Sequence, residues 1–86
     1  MNDMTRIDQN ARRSRALVHH GIAYLSGQVP DDRSQDIADQ TRQVLAKVDE
    51  LLGQAGTDKS RMLSAQIWLK TMDDFAAMNA VWDAWV

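Results

Sequence analysis

One run of helical periodicity between two runs of strand-type alternation constrains the fold of this 86-residue chain more than any other feature. From Gln35 to Ala55, Ile37, Val44, Leu45, Val48, Leu51 and Leu52 recur at helical spacing, with Thr41 on the same face and charged residues opposite. Before it, ALVHH and IAYLSGQ alternate as short strands meeting at His20-Gly21, where glycine can supply the positive φ of a tight hairpin turn. After it, Met62 to Leu69 alternates as well, with Leu63, Ala65, Ile67 and Leu69 on one face and Met62, Ser64, Gln66 and Trp68 on the other. A strand, a helical crossover and a further strand predict a parallel pair with a right-handed connection.

The flanks complete the order. Ser34 stands where an N-cap is expected and Gly56 where the helix should stop. Thr71-Met72-Asp73-Asp74 has the shape of a capping box and opens a helix with Phe75, Met78, Trp82 and Val86 on one stripe. Residues 1–15 are polar and read as an arm or an edge strand. The expectation is a single α+β domain over residues 1–86, a two-layer sandwich with a mixed sheet covered on one face by two helices. Two amphipathic helices exceed what so narrow a sheet can cover, and AVWDAWV ends in mid-helix. Further closing strands are therefore expected to belong to the complete fold.

Composition limits the function classes. Ten basic against twelve acidic residues give a net charge of −2, which excludes a broad basic field for nucleic acid. There is no cysteine, so neither a disulfide framework nor a thiolate site can form. No stretch approaches the roughly 20 apolar residues that span a bilayer, and the N-terminal stretch lacks a secretory apolar core. A soluble, cytoplasmic protein is expected, with neither membrane nor nucleic acid as partner.

The residues that could carry chemistry admit two readings each. In Tyr24-Leu25-Ser26-Gly27-Gln28-Val29-Pro30, a strand turns small and polar. Ser26 can offer a hydroxyl and Gly27 a bare backbone to a ligand, or the pair simply ends strand pairing as a bulge or sheet edge. No neighbouring base marks Ser26 as a nucleophile. Asn79 borders the apolar stripe of the last helix, either as a satisfied core amide or as a cleft residue. Arg12, Arg13 and Arg15 form a solvated arm, or Arg13 holds a carboxylate, whose geometry a guanidinium matches bidentately. His19 and His20 are adjacent on a strand and so face opposite ways, which argues against a shared metal. Trp68, Trp82 and Trp85 suit packing and association surfaces.

Three blocks, in order, resemble the YjgF/RidA family of imine deaminases, some of whose members are labelled ribonucleases. They are Tyr24 to Pro30; Gln40-Thr41-Arg42-Gln43 running to Leu51-Leu52 and Ala55-Gly56; and Met72-Asp73-Asp74-Phe75 with Asn79-Ala80-Val81-Trp82. The resemblance they carry covers about residues 16 to 86. The resemblance implies a chorismate-mutase-like fold, a homotrimer with ligand clefts between subunits, and no metal or organic cofactor. It implies hydrolysis of reactive enamines and imines to 2-keto acids and ammonia, with Ser26, Gly27 and Asn79 as substrate-binding positions. Counting back from Ser26, Arg13 occupies the place of the family's cleft tyrosine. The family's carboxylate-clamping arginine and its water-associated glutamate lie on two closing strands beyond the last residue of this sequence. Binding of a small carboxylate without turnover, or a fragment without independent activity, are the alternatives.

Overall fold

The structure, a computed structural model, describes residues 4–86. Its sheet is antiparallel with strand order β1-β2-β3, formed by β1 (Thr5–Ile7), β2 (Ala16–His19) and β3 (Ile22–Leu25). The polar N-terminal segment thus contributes an edge strand, pairing Thr5 with Val18 and Ile7 with Ala16. Between β2 and β3 the turn residues His20 (φ 51°) and Gly21 (φ 76°) are both left-handed. That geometry matches the right-handed twist of the flanking strands, and it explains the glycine.

Helix α1 (Ile37–Gln54) follows the apolar spacing closely. Leu51 is completely buried and meets Ile7 and Ala16, with Val18, Leu25 and Ala55 packed around them. The register places Ile7, Ala16 and Leu25 side by side on one sheet face, which is why a single helical leucine can seal all three. Leu17 and Tyr24 pair on the opposite face, where Tyr24 is half exposed.

Both ends of α1 are chemically fixed. The N-cap is Asp36, whose carboxylate accepts from the Asp39 N–H at 2.8 Å. Ser34, expected in that role, is engaged elsewhere: its N–H and hydroxyl both donate to Asp32. A short polar side chain that closes a local turn is lost to the helix. At the other end Gly56 (φ +83°) donates to the Gly53 carbonyl and Thr57 to Leu52, the paired bonds of a Schellman stop.

Helix α2 (Phe75–Trp85) begins through a 3-10 turn, Met72–Asp74, with the Thr71 hydroxyl accepting from Asp73 N–H at 3.3 Å. The Thr71 half of the expected capping box is present; no reciprocal bond from Asp74 is found among the described residues. Met78 is buried, and α2 packs along α1. Trp85 fixes that contact through its indole N–H, which donates to Asp49 at 2.9 Å. Lys59 donates to the Trp85 carbonyl and lies 4.9 Å from its ring centroid, a cation–π distance.

One expected element differs. Residues 62–69 form no strand, so the parallel pair that would make the sheet mixed is not formed among the described residues. Leu63 and Trp68 are more than four-fifths exposed. The alternation of side chains there is real, but a strand also needs a neighbour's N–H and C=O groups in register. In the described sheet neither β1 nor β3 pairs with this segment along its outer edge.

Candidate functional site

The site begins where β3 leaves the sheet. Ser26 N–H donates to the Arg15 carbonyl at 3.0 Å, continuing the β2–β3 ladder one step beyond the Ala16–Leu25 pair. The Ser26 hydroxyl donates to the same carbonyl at 3.1 Å. Gln28 folds back over it: its amide donates to the Ser26 carbonyl at 2.9 Å and to the hydroxyl oxygen at 3.3 Å. The Gln28 carbonyl in turn accepts from Arg15 Nη2 at 2.9 Å. Arg15, Gln28 and Ser26 thus close a polar ring that binds the exit of β3 to the start of β2. The serine hydrogen is committed to a carbonyl, so Ser26 presents no free O–H donor in this arrangement.

Beyond the ring the chain is held against α1. Lys47 donates to the Val29 carbonyl and to the Asp31 carboxylate, each at 2.7 Å. Asp31 is largely exposed, so the direct ion pair contributes little stability of its own. Its use here is to fix the direction of the Gly27–Asp31 segment.

Arg13, Arg15, Ser26, Gly27, Gln28, Val29, Asp31 and Lys47 surround an open cavity of about 340 Å³. The loop from β1 presents Arg13 to it. Asn10 Oδ1 accepts from the N–H groups of Arg12 and Arg13 at 2.8 and 2.9 Å, and Asn10 N–H donates to the Arg13 carbonyl at 2.8 Å. At Gly27 a β-carbon would meet nothing within 4 Å, and its φ is not left-handed. The glycine is therefore not demanded by backbone strain; what it supplies is open space beside the chain.

Of the residues singled out in the sequence, Arg13, Ser26 and Gly27 are brought to one cavity. Asn79 is not among its lining residues; it lies half-buried on α2, with its amide 3.4 Å from Asp83 one turn on. Arg15 and Lys47 were not legible as site residues. The signal for Lys47 was a lysine three residues after Val44 and directly before Val48, on the flank of the apolar stripe. His19 and His20 lie with ring centroids 4.0 Å apart, because His20 turns out of the strand into the left-handed turn. Among the described residues no group of three His, Cys, Asp or Glu side chains could hold a metal ion. No described helix is long and apolar enough to cross a membrane.

This three-stranded sheet and its two-helix layer belong to a known class. The family model described as Endoribonuclease L-PSP matches residues 4–86, and the chain is a member of that family. A RutC family protein of Haemophilus ducreyi is 48% identical over 83 residues, covering 96% of this chain and 71% of that protein. The RutC family protein YoaB of Escherichia coli is 43% identical, covering 96% and 72%. Among solved structures, a member of the YjgF protein family from Neisseria meningitidis superposes with a TM-score of 0.93 at 43% identity, covering 98% of this chain and 70% of that one. A Pseudomonas aeruginosa protein gives 0.91 at 43% identity, covering 95% and 71%.

Proposed function

We propose that this protein acts on small reactive enamine or imine metabolites and hydrolyses them to 2-keto acids and ammonia. The observation that carries the reading is the convergence of Arg13, Ser26 and Gly27 on one cavity large enough for a ligand of a few carbons. In the reaction water adds to the imine carbon, the C–N bond breaks with proton transfer to nitrogen, and a carbonyl and ammonia remain. The cavity would seat the substrate beside Gly27, where the backbone leaves room.

A homotrimer is part of the same reading. The sheet face carrying Leu17, Ile22 and Tyr24 is uncovered within the protomer, with Tyr24 at 53% and Ile22 at 38% exposure. An apolar sheet face left in solvent gains stability by burial against copies of the chain. In that assembly Asn79 would join a cleft from a neighbouring subunit. Cytoplasmic residence completes the reading, in keeping with a chain that has no cysteine to oxidise.

A second reading, binding of a small carboxylate without turnover, is favoured by the state of the polar groups. The Ser26 hydrogen is committed to Arg15 and the Asp31 carboxylate to Lys47. Neither is placed as a ready base for water. Ammonia release from 2-iminobutanoate, followed at catalytic protein concentration, separates the two. Turnover lost in Ser26→Ala and Asn79→Ala supports hydrolysis through the named residues; saturable binding of 2-oxobutanoate with no turnover supports the second reading.

A further inference from the structure

We propose that residues 62–69 are a pairing strand for a second copy of this chain, joined antiparallel about a two-fold axis at Gln66. This surface shares no residue with the cavity lining or with the uncovered sheet face. The segment runs without turn or bend from Met62 to Leu69. Among the described residues no N–H or C=O group from Leu63 to Leu69 makes a hydrogen bond to another backbone group. The segment also has no charge, proline or glycine, the devices that ordinarily blunt a strand edge. Leu63 is 84% exposed, Trp68 88% and Ile67 46%, so side chains as well as backbone are uncovered. A strand in that state is a template for another strand.

The side chains of the segment select a copy of itself. With Gln66 on the axis, Leu63 stands opposite Leu69 and Ala65 opposite Ile67, so all four apolar residues of one face meet across the pair. On the other face Ser64 meets Trp68, and the two Gln66 amides, each both donor and acceptor, meet one another. A slip of one residue puts the axis between Ala65 and Gln66, which sets Leu63 against Trp68 and Arg61 against Lys70. A slip of two, with the axis on Ala65, leaves Leu69 facing Arg61. A parallel in-register pair brings each Arg61 and each Lys70 against its own copy, like charge against like. The antiparallel pair about Gln66 instead runs the end that begins at Arg61 alongside the end that continues to Asp73 and Asp74, opposite in charge.

The test exploits a chain without cysteine, in which a single introduced thiol can bridge only to another copy. Gln66→Cys sets two thiols directly opposite, within the Cα separation that a disulfide spans. In Ala65→Cys the two Cα atoms stand roughly 8 Å apart by strand spacing and rise, beyond that reach. Under mild oxidation Gln66→Cys should form a cross-linked pair at least about tenfold faster than Ala65→Cys or the exposed α1 control Glu50→Cys. Ile67→Lys should halve the native mass, from hexamer to trimer where the sheet face also assembles and from dimer to monomer where it does not. Its circular dichroism should stay unchanged, because Ile67 is exposed. Equal cross-linking rates in the three cysteine variants, a native mass unmoved by Ile67→Lys, or a mass that climbs without limit with concentration would each overturn the closed pair. A wild type with an odd number of copies, its amides at 63–69 protected from exchange, would overturn the second copy as occupant and assign the edge to a strand of another sequence.

Discussion

Arg15 and Gln28, thirteen residues apart, meet at 2.9 Å across the mouth of the β2–β3 hairpin. The contact joins two functions of the same amide. Its carbonyl holds the arginine, and its nitrogen holds Ser26. Removing it leaves Arg15 held by Asp8 alone among the described residues, at 3.4 Å, and unties the exit of β3. Gln28→Ala should therefore cost about 1 kcal/mol in urea unfolding, the net worth of a part-buried hydrogen-bond set. Unchanged stability would show that the ring is not closed in solution.

Among the described residues Leu51 is the one large side chain without solvent exposure, and it touches both outer strands' contributions to the core through Ile7 and Leu25. With so few buried residues the helix–sheet contact depends on it. Leu51→Ala should destabilise by about 2–5 kcal/mol, enough to unfold much of the population of a marginal small domain. Leu52→Ala, at the partly exposed neighbouring position, should cost distinctly less. Thermal unfolding of the two variants side by side measures the difference.

The apolar positions of α1 and the His20-Gly21 turn were legible because both are local: one is a period, the other a backbone requirement of adjacent residues. The strand-exit residues Ser26 and Gly27 were legible for the same reason. What failed to show was whatever depends on a partner. Residues 62–69 alternate like a strand, yet pairing is a property of two segments, and no described neighbour supplies the ladder. Ser34 and Asp36 are equally good caps by type, and the choice fell to Asp36 because Asp32 captures the serine. Lys47 enters the cavity from 18 residues beyond Val29, a distance no local pattern encodes.

Two glycines should respond in opposite ways to alanine. Gly56 sits at φ +83° in the Schellman stop of α1, so Gly56→Ala should cost about 1 kcal/mol although its side-chain position is open. Gly27 is equally open and unstrained, so Gly27→Ala should leave stability within about 0.5 kcal/mol of the parent. Its added methyl group intrudes on the cavity, and carboxylate affinity should fall. A Gly27→Ala protein that binds normally would place the ligand away from the β3 exit.

Acid should loosen the two connections that carry aspartate turns. The side chains of Ser34 and Gln35 and the Ser34 N–H donate to Asp32 and hold its carboxyl below its ordinary value of 3.8. The Ser60 hydroxyl and N–H do the same for Asp58. A carboxyl whose folded pKa is depressed contributes stability that is fully present above its unfolded value. That contribution is lost as pH falls through the lower, folded pKa. Stability should therefore decline below about pH 4, with small amplitude because both groups face solvent. Asp32→Asn and Asp58→Asn keep an acceptor but remove the titration, and each should flatten the acid limb of a stability–pH curve while leaving its shape above pH 6 unchanged. An acid limb that stays as steep in the double variant would assign the loss to other carboxylates.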